Sequence, residues 1–147
     1  MRLIAFAAAI AAVSTCCAFA QTVPSGWKVV KDNQGACKVA VPSDWTTDTS
    51  VGKSPDGKSN VIPNGLDSDQ SYKEATSMVK QMMKPTKIME DSDKRLLYSY
   101  EGGRGSSGTN WYVAVPGKPV CTAQLSFKDP VTEETAKKIA LSLTQAK

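Results

Sequence analysis

Apolar and polar positions alternate most clearly over residues 36–41, and this period of two predicts a β-strand. Cys37, Val39 and Val41 fall on one side of that strand, so one of its faces is committed to a core. The strand runs into a Pro-x-x-Trp segment that begins at Pro42 and ends at Trp45. We expect the remaining elements of the chain to cover this apolar face.

Further strands are predicted where alternating or β-branched residues lie between glycine, proline and asparagine residues. These strands are residues 27–31, 58–62, 86–90, 94–101, 109–115 and 119–127. The first of them pairs with residues 36–41 as a hairpin, and the last two form a second hairpin. We expect the strand at 58–62 to stop at Pro63-Asn64-Gly65, because proline and glycine interrupt strands.

A helical period replaces the alternation before Pro85, which predicts a helix that ends at about Lys84. Asp67 or Ser68 is the expected N-cap. Apolar residues at steps of three and four form one core-facing stripe, Tyr72, Ala75, Val79, Met82 and Met83. The alternative is that the methionines, including Met78 and Met89, serve as soft ligands for cuprous ion.

A second helix is predicted near the end of the chain, with Asp129 as its cap and Pro130 at its first position. Its packing face is Val131, Thr135, Ala136, Ile139 and Leu143. Two helices and a series of antiparallel strands predict an α+β fold, an antiparallel β-sheet flanked by helices in an α/β/α-type sandwich.

The first twenty residues have the layout of a secretory signal. Arg2 precedes the apolar residues 3–13, and Ala18-Phe19-Ala20 forms a cleavage site before Gln21. We therefore expect a signal peptide at 1–20, a single domain at 21–147 and a periplasmic or secreted location. The alternative is a lipoprotein attached at Cys16, although Thr15 makes a poor match to that signal. No second apolar run is long enough to span a membrane.

Cleavage would remove Cys16 and Cys17 and leave Cys37 and Cys121 as an even pair. An oxidising compartment favours a disulfide between them, and closing so long a loop would stabilise the fold by roughly 4 kcal/mol. Two buried free thiols are the alternative.

Charge and histidine content exclude several classes of function. The chain has 18 basic and 14 acidic residues, and the basic residues do not cluster beyond pairs such as Lys94-Arg95, so nucleic-acid binding is disfavoured. Histidine is absent, which removes the usual general base and the commonest zinc ligand. We expect no cofactor, no metal and no catalytic residue.

Carboxylates are the remaining candidates for acid–base chemistry. A small hydrolase of the cell envelope that uses them is the alternative function, and its candidates are Asp67, Asp69, Glu90, Asp91 and Asp93. Asp67, Asp69 and Ser71 also imitate the start of a calcium loop, but Tyr72 stands where that loop requires glycine.

One short motif matches a phosphate-binding expression. Residues 52–59 fit G-x-x-x-x-G-K-S, yet Pro63 and Gly65 prevent the helix that must follow such a loop. We interpret these residues as a surface turn.

Aromatic residues lie on both sides of a glycine-rich loop at 102–108. Rings beside such a loop form a candidate binding surface, because they provide a large contact area at low entropic cost. The candidate residues are Tyr98, Tyr100, Arg104, Trp111 and Tyr112. The alternative is that these rings are ordinary sheet residues.

Several of these segments together resemble the PsbP-like superfamily. They are the hairpin that ends at residues 39–45, the central helix, the strand at 111–115 and the closing helix at 136–143. The resemblance implies an antiparallel sheet flanked by helices. Members of the superfamily include an extrinsic subunit of photosystem II, a Ran-binding protein and exported bacterial proteins without assigned activity. The resemblance therefore does not fix a function.

From these observations we expect an exported, non-enzymatic binding or accessory module. Its partner would be an envelope protein or a small apolar ligand, and its oligomeric state is open.

Overall fold

The computed structural model describes residues 23–66, 69–104 and 106–147. The predicted signal peptide, Cys16, Asp67, Ser68 and Gly105 lie outside the described residues. The strands are β1 (Lys28–Lys31), β2 (Cys37–Val41), β3 (Gly52–Lys53), β4 (Asn60–Leu66), β5 (Pro85–Asp91), β6 (Leu96–Tyr100), β7 (Thr109–Val115), β8 (Val120–Phe127) and β9 (Thr144–Gln145). The helices are α1 (Tyr72–Met83) and α2 (Glu133–Leu141). The predicted α+β class is confirmed.

The strands form two antiparallel sheets. The larger sheet has the order β3-β4-β8-β7-β6-β5, and the smaller has the order β1-β2-β9. Both predicted hairpins are present, because β1 pairs with β2 and β7 pairs with β8. One face of the six-stranded sheet packs against the small sheet and α2, and we call it the inner face. The opposite face, which packs against α1, is the outer face.

The inner face carries the main core, which includes Trp45, Trp111, Leu125 and Ile139. A disulfide joins Cys37 of β2 to Cys121 of β8, with an S–S distance of 1.98 Å, and so links the two sheets. The predicted disulfide is confirmed. Its two cysteines are fully buried.

Helix α1 covers only part of the outer face. Val79 of α1 belongs to a second buried cluster, whose other members are the sheet residues Leu96, Tyr98, Tyr112 and Ala114. The prediction that Met82 belongs to the buried stripe is wrong, since its side chain is 66% exposed. Met82 and Met83 are neighbours in a helix, and so their side chains differ by about 100° in direction. Met83, four residues after Val79, is the one that packs against the cluster.

The helix caps differ from those predicted. Helix α1 begins after Ser71, whose Oγ accepts a hydrogen bond from the Glu74 N–H at 3.4 Å while the Glu74 carboxylate accepts from the Ser71 N–H at 2.9 Å. This reciprocal pair satisfies two backbone donors at once, which favours Ser71 over the predicted caps. Helix α2 begins after Thr132, which accepts from the Thr135 N–H, and the Asp129–Pro130 peptide bond is cis.

Strand β4 continues through Pro63-Asn64-Gly65, so the expected stop there is wrong. Proline is compatible with this position because β3 pairs with β4 only at Asn60 and Val61, which leaves β4 without a strand on that edge within the described residues. The Gly65 N–H donates to Asp32 Oδ2 at 3.2 Å. A Cβ at Gly65 would lie 3.0 Å from the Pro119 ring, so glycine at this position allows Pro119 to approach β4 closely.

Candidate functional site

The strand register brings four polar or aromatic side chains into one row on the outer face. Asn60 of β4 is paired with Ser126 of β8, Ser126 with Asn110 of β7, and Asn110 with Tyr100 of β6. Because side chains alternate along a strand, the residues two positions away continue the same face. The row therefore changes from amide and hydroxyl groups on β4, β8 and β7 to an aromatic ring on β6.

The neighbouring row shows which half of the outer face α1 covers. It contains Ile62, Gln124, Tyr112 and Tyr98. Tyr98 and Tyr112 are buried beneath α1, whereas Gln124 is exposed and Ile62 is 44% exposed. Along this row the outer face is thus covered over β6 and β7 and open over β4 and β8.

A cleft of about 280 Å³ lies where this open half meets the end of α1 and the glycine-rich loop. We call it the amide cleft. It is lined by Asn60, Ile62, Met83, Tyr100, Gly102, Gly103, Ser106, Asn110, Gln124, Leu125 and Ser126. Every one of these residues is uncharged, in a chain of which 22% is charged.

Asn110 organises the floor of the amide cleft. Its side chain is nearly buried, and its Oδ1 accepts hydrogen bonds from the Ser126 and Ser106 hydroxyl groups. Its Nδ2 lies 3.1 Å from Ser106 Oγ and 3.3 Å from the Gly108 carbonyl oxygen, to which it donates. These contacts occupy the hydrogen-bonding capacity of Asn110 and hold both serines at the cleft.

Three polar groups of the amide cleft have no side-chain hydrogen bond to another described residue. They are the Asn60 amide, the Gln124 amide and the Tyr100 hydroxyl. Each side-chain amide offers two donors and an acceptor, and the phenol offers one donor and an acceptor. The cleft therefore presents uncharged hydrogen-bonding groups that water or a ligand can satisfy.

Gly102 lets the glycine-rich loop close one wall of the amide cleft. A Cβ at this position would lie 2.3 Å from Ser106 Oγ and 2.6 Å from Asn110 Nδ2, closer than atoms can pack. A Cβ at the adjacent Gly103 would meet no atom within 4 Å. Of these two glycines, only Gly102 is therefore required to be glycine for steric reasons.

The candidate binding residues proposed from the sequence are divided between different environments. Tyr98 and Tyr112 are buried under α1 with ring centroids 5.4 Å apart, and Trp111 lies on the inner face against Phe127. Arg104 is exposed on the loop. Tyr100 is the one member of the set that lines the amide cleft.

Sequence reasoning missed Asn60, Asn110, Gln124 and Ser126. A signal for two of them was present, because Thr122, Gln124 and Ser126 alternate with apolar residues along β8. That alternation indicates a polar side of the strand that an apolar core does not cover.

The tyrosine hydroxyls of the outer face remain protonated near neutral pH. Burial raises the pKa of Tyr112 to about 12, and burial followed by the charge of Asp91 raises the pKa of Tyr72 to about 12. Burial also raises the pKa of Tyr98 and of Tyr100. Tyr100 therefore acts as a neutral hydrogen-bonding group in the amide cleft, since a phenolate forms only at high pH.

The candidate carboxylates lie away from the amide cleft. Asp91 is paired with Lys80 at 2.8 Å, and Glu90 with Arg95 at 3.5 Å. Asp93 is exposed, as is Asp69, which precedes α1. Within residues 23–66, 69–104 and 106–147, no group of three acidic, cysteine or histidine side chains is placed to hold a metal ion.

The residues that match the phosphate-loop expression comprise β3 and the turn that joins it to β4, and a strand follows them. Asp56 accepts hydrogen bonds from the Ser54 hydroxyl at 2.6 Å and from the Lys58 N–H at 3.1 Å. The Ser54 hydroxyl, the Lys58 N–H and the Lys58 charge lower the pKa of Asp56. The Asp56 carboxylate therefore engages a backbone N–H of this turn that a bound phosphate would need.

A larger hollow of about 960 Å³ lies at the opposite end of α1. Its lining includes the charged residues Asp69, Glu74 and Lys118. Hydrogen bonds from the Ser71 backbone and side chain lower the pKa of Glu74. Ser71 and one carboxylate oxygen of Glu74 are engaged in the helix cap. We take the amide cleft, whose lining is uncharged, as the candidate site.

Comparisons with known proteins find similarity among solved structures only. No protein-family model matches the chain, and no curated protein matches it. Among solved structures, the chain is similar to the solution structure of cyanobacterial PsbP (CyanoP) from Synechocystis sp. PCC 6803, with a TM-score of 0.49 and 16% sequence identity. The likeness covers 88% of this chain and 96% of that chain. The sequence resembles the PsbP-like superfamily, and at this TM-score and identity the structural likeness carries no conclusion about function.

Among the described residues, neither helix has the length and apolar content that a membrane crossing requires.

Proposed function

We propose that this protein is an exported, non-enzymatic binding module that holds a small uncharged ligand in the amide cleft. The observation that carries the proposal is the wholly uncharged lining. It includes the side-chain amides of Asn60 and Gln124, and neither has a side-chain partner among the described residues. Small-molecule sites commonly combine an apolar wall with a few polar groups that fix orientation. Here Ile62, Met83 and Tyr100 supply the wall.

The chemistry of the lining favours an uncharged and polar ligand. A charged ligand would give up hydration without gaining an opposite charge, which is costly. A purely apolar ligand, as expected from the sequence, would cover the Asn60 and Gln124 amides and leave them without partners. A ligand with its own hydrogen-bonding groups avoids both costs.

Binding fits this cleft better than catalysis does. The one titratable side chain in its lining is Tyr100, and burial raises the pKa of that phenol, so it stays protonated near neutral pH. A general base poised near the working pH is what acid–base catalysis requires. Export is supported by the signal-like first twenty residues and by the buried disulfide, which is typical of oxidising compartments.

The two neighbouring glycines of the loop provide a matched test. Uncharged, anionic and cationic small molecules are screened for binding by ligand-observed NMR against the wild-type protein, Gly102→Ala and Gly103→Ala. We expect uncharged polar compounds to bind the wild type and Gly103→Ala but not Gly102→Ala, because only the Gly102 methyl group displaces Ser106 and Asn110. Amide spectra of both variants check that they are folded.

Equal binding by the two glycine variants, or binding of charged compounds alone, would contradict the proposal.

A further inference from the structure

We infer that the ligand of the amide cleft is a neutral sugar, bound through one pyranose ring. This inference rests on the proposed function and adds the chemical class of the ligand. A sugar hydroxyl both donates and accepts hydrogen bonds, and so it matches groups that do the same. The cleft groups without a side-chain partner in the described part of the chain are two primary amides and a phenol, and all are of this kind.

The spacing of the two amides suits a ring with hydroxyls at its edge. Asn60 is paired with Ser126, and Gln124 lies two residues before Ser126 on the same strand and face. Such diagonal neighbours across an antiparallel pair are roughly 7 Å apart at their backbones. Two flexible amides at that separation can reach hydroxyls on different carbons of one ring.

The apolar part of the cleft suits the other surface of a sugar. The C–H groups of a pyranose ring carry partial positive charge, and the face of an aromatic ring is electron-rich, so the two surfaces attract each other. Tyr100 contributes an aromatic ring and Met83 an apolar thioether chain to the lining that the amides share, and both are half-buried against the tyrosine cluster. A volume of about 280 Å³ accommodates a single ring with its substituents.

The sheet geometry argues against an extended peptide as the ligand. Peptides often bind by adding a strand to a free sheet edge, where backbone hydrogen-bonding groups are available. Strand β8 pairs with β4 on one side and with β7 on the other over nearly its whole length. A ligand that lies over β8 is therefore held by side chains, which favours a compact ring over an extended backbone. The open edge of β4 begins beyond Val61 and does not involve β8.

A titration of the full chain tests the inference. The probes are methyl β-glucopyranoside, methyl β-galactopyranoside, methyl α-mannopyranoside and N-acetylglucosamine, with cationic glucosamine, anionic glucuronate and a blocked neutral dipeptide as comparisons. The affinity of each probe is measured by protein-observed NMR for the wild type, Asn60→Ala, Gln124→Ala and Gln81→Ala. Gln81 is an exposed amide on α1 outside the lining of the amide cleft, and so it is the matched control.

We expect at least one neutral sugar to bind, and Asn60→Ala and Gln124→Ala each to weaken its affinity about fivefold, the effect of one neutral hydrogen bond. Gln81→Ala should leave the affinity unchanged, and the charged sugars should bind more weakly than their neutral counterparts.

Three results would overturn the inference, and the first two separate a failure of the sugar assignment from a failure of the proposed function. If no sugar binds while the neutral dipeptide or another uncharged compound binds in a manner sensitive to Gly102→Ala, the sugar assignment is wrong and the proposed function stands. If no uncharged compound binds at the amide cleft, both are wrong. Sugar binding that neither Asn60→Ala nor Gln124→Ala weakens also contradicts the assignment.

Discussion

The inner and outer faces of the six-stranded sheet are built from different aromatic residues. All three tryptophans contribute to the inner side, where Trp45 and Trp111 are buried and Trp27 packs against the same core. All four tyrosines lie on the outer side, in or against the cluster under α1, and they are Tyr72, Tyr98, Tyr100 and Tyr112.

This difference shows how the two faces divide their roles. The inner face is closed by a second sheet, a helix and a disulfide, so its side chains are selected for packing. The outer face is only partly covered by α1, and its residues change from apolar rings to amides and hydroxyls across four strands. Stability is therefore expected to depend mostly on the inner face, and binding on the open part of the outer face.

The largest effect is expected from opening the inner face. Replacing both disulfide cysteines, Cys37→Ala with Cys121→Ala, removes a crosslink between residues that are 84 positions apart. The chain-entropy estimate for such a loop predicts a loss of roughly 4 to 5 kcal/mol in the free energy of unfolding. Denaturant unfolding followed by tryptophan fluorescence measures it. A loss below about 1 kcal/mol would show that the crosslink does not support this face.

A smaller effect is expected from ionising the outer face. The pKa values of Tyr72 and Tyr112 are raised from 10.0 to about 12 in the folded protein. The stability linked to these phenols is therefore complete below pH 10 and is lost as the pH rises from 10 toward 12. Tyrosinate absorbance should appear at a higher pH than that at which ordinary tyrosines ionise, and it should appear together with alkaline unfolding. Full ionisation near pH 10 in a still folded protein would contradict the burial of this cluster.

The smallest effect is expected from one hydroxyl of the outer cluster. Tyr98 is fully buried, and its Oη has no hydrogen-bond partner among the described residues. An unpaired buried hydroxyl is destabilising, so Tyr98→Phe should leave the free energy of unfolding unchanged or raise it by about 1 kcal/mol. Thermal or denaturant unfolding measures this change. A loss of more than about 1 kcal/mol would mean that the hydroxyl has a partner that the packing does not reveal.

Local pattern predicted most of the fold. The period-two alternation at residues 36–41 and the two hairpins are present, and the two cysteines on apolar strand faces form the disulfide. The errors arose where tertiary contacts override local preference. Strand β4 passes through Pro63 and Gly65 because, among the described residues, one edge of β4 has no paired strand there. The Gly65 N–H donates to the Asp32 carboxylate instead.

The candidate site was harder to predict, because sequence proximity to the glycine-rich loop does not determine which face a residue occupies. Trp111 and Tyr112 are adjacent, so strand alternation places them on opposite faces. The members of the amide cleft come from four strands, a helix and a loop, and only the register of β4, β8 and β7 brings Asn60, Gln124 and Asn110 together. Register over such sequence distances cannot be read from local pattern.

The most direct test of the account is a single NMR titration of the wild-type protein with an uncharged sugar that binds it. The side-chain amide signals of Asn60 and Gln124 report on the amide cleft, and the indole N–H signals of the three tryptophans report on the inner face. We predict that the two amide signals shift in proportion to occupancy while the indole signals stay unchanged. Shifts confined to the indole signals, or to residues around the hollow at the start of α1, would contradict the claim that the open half of the outer face is the binding site.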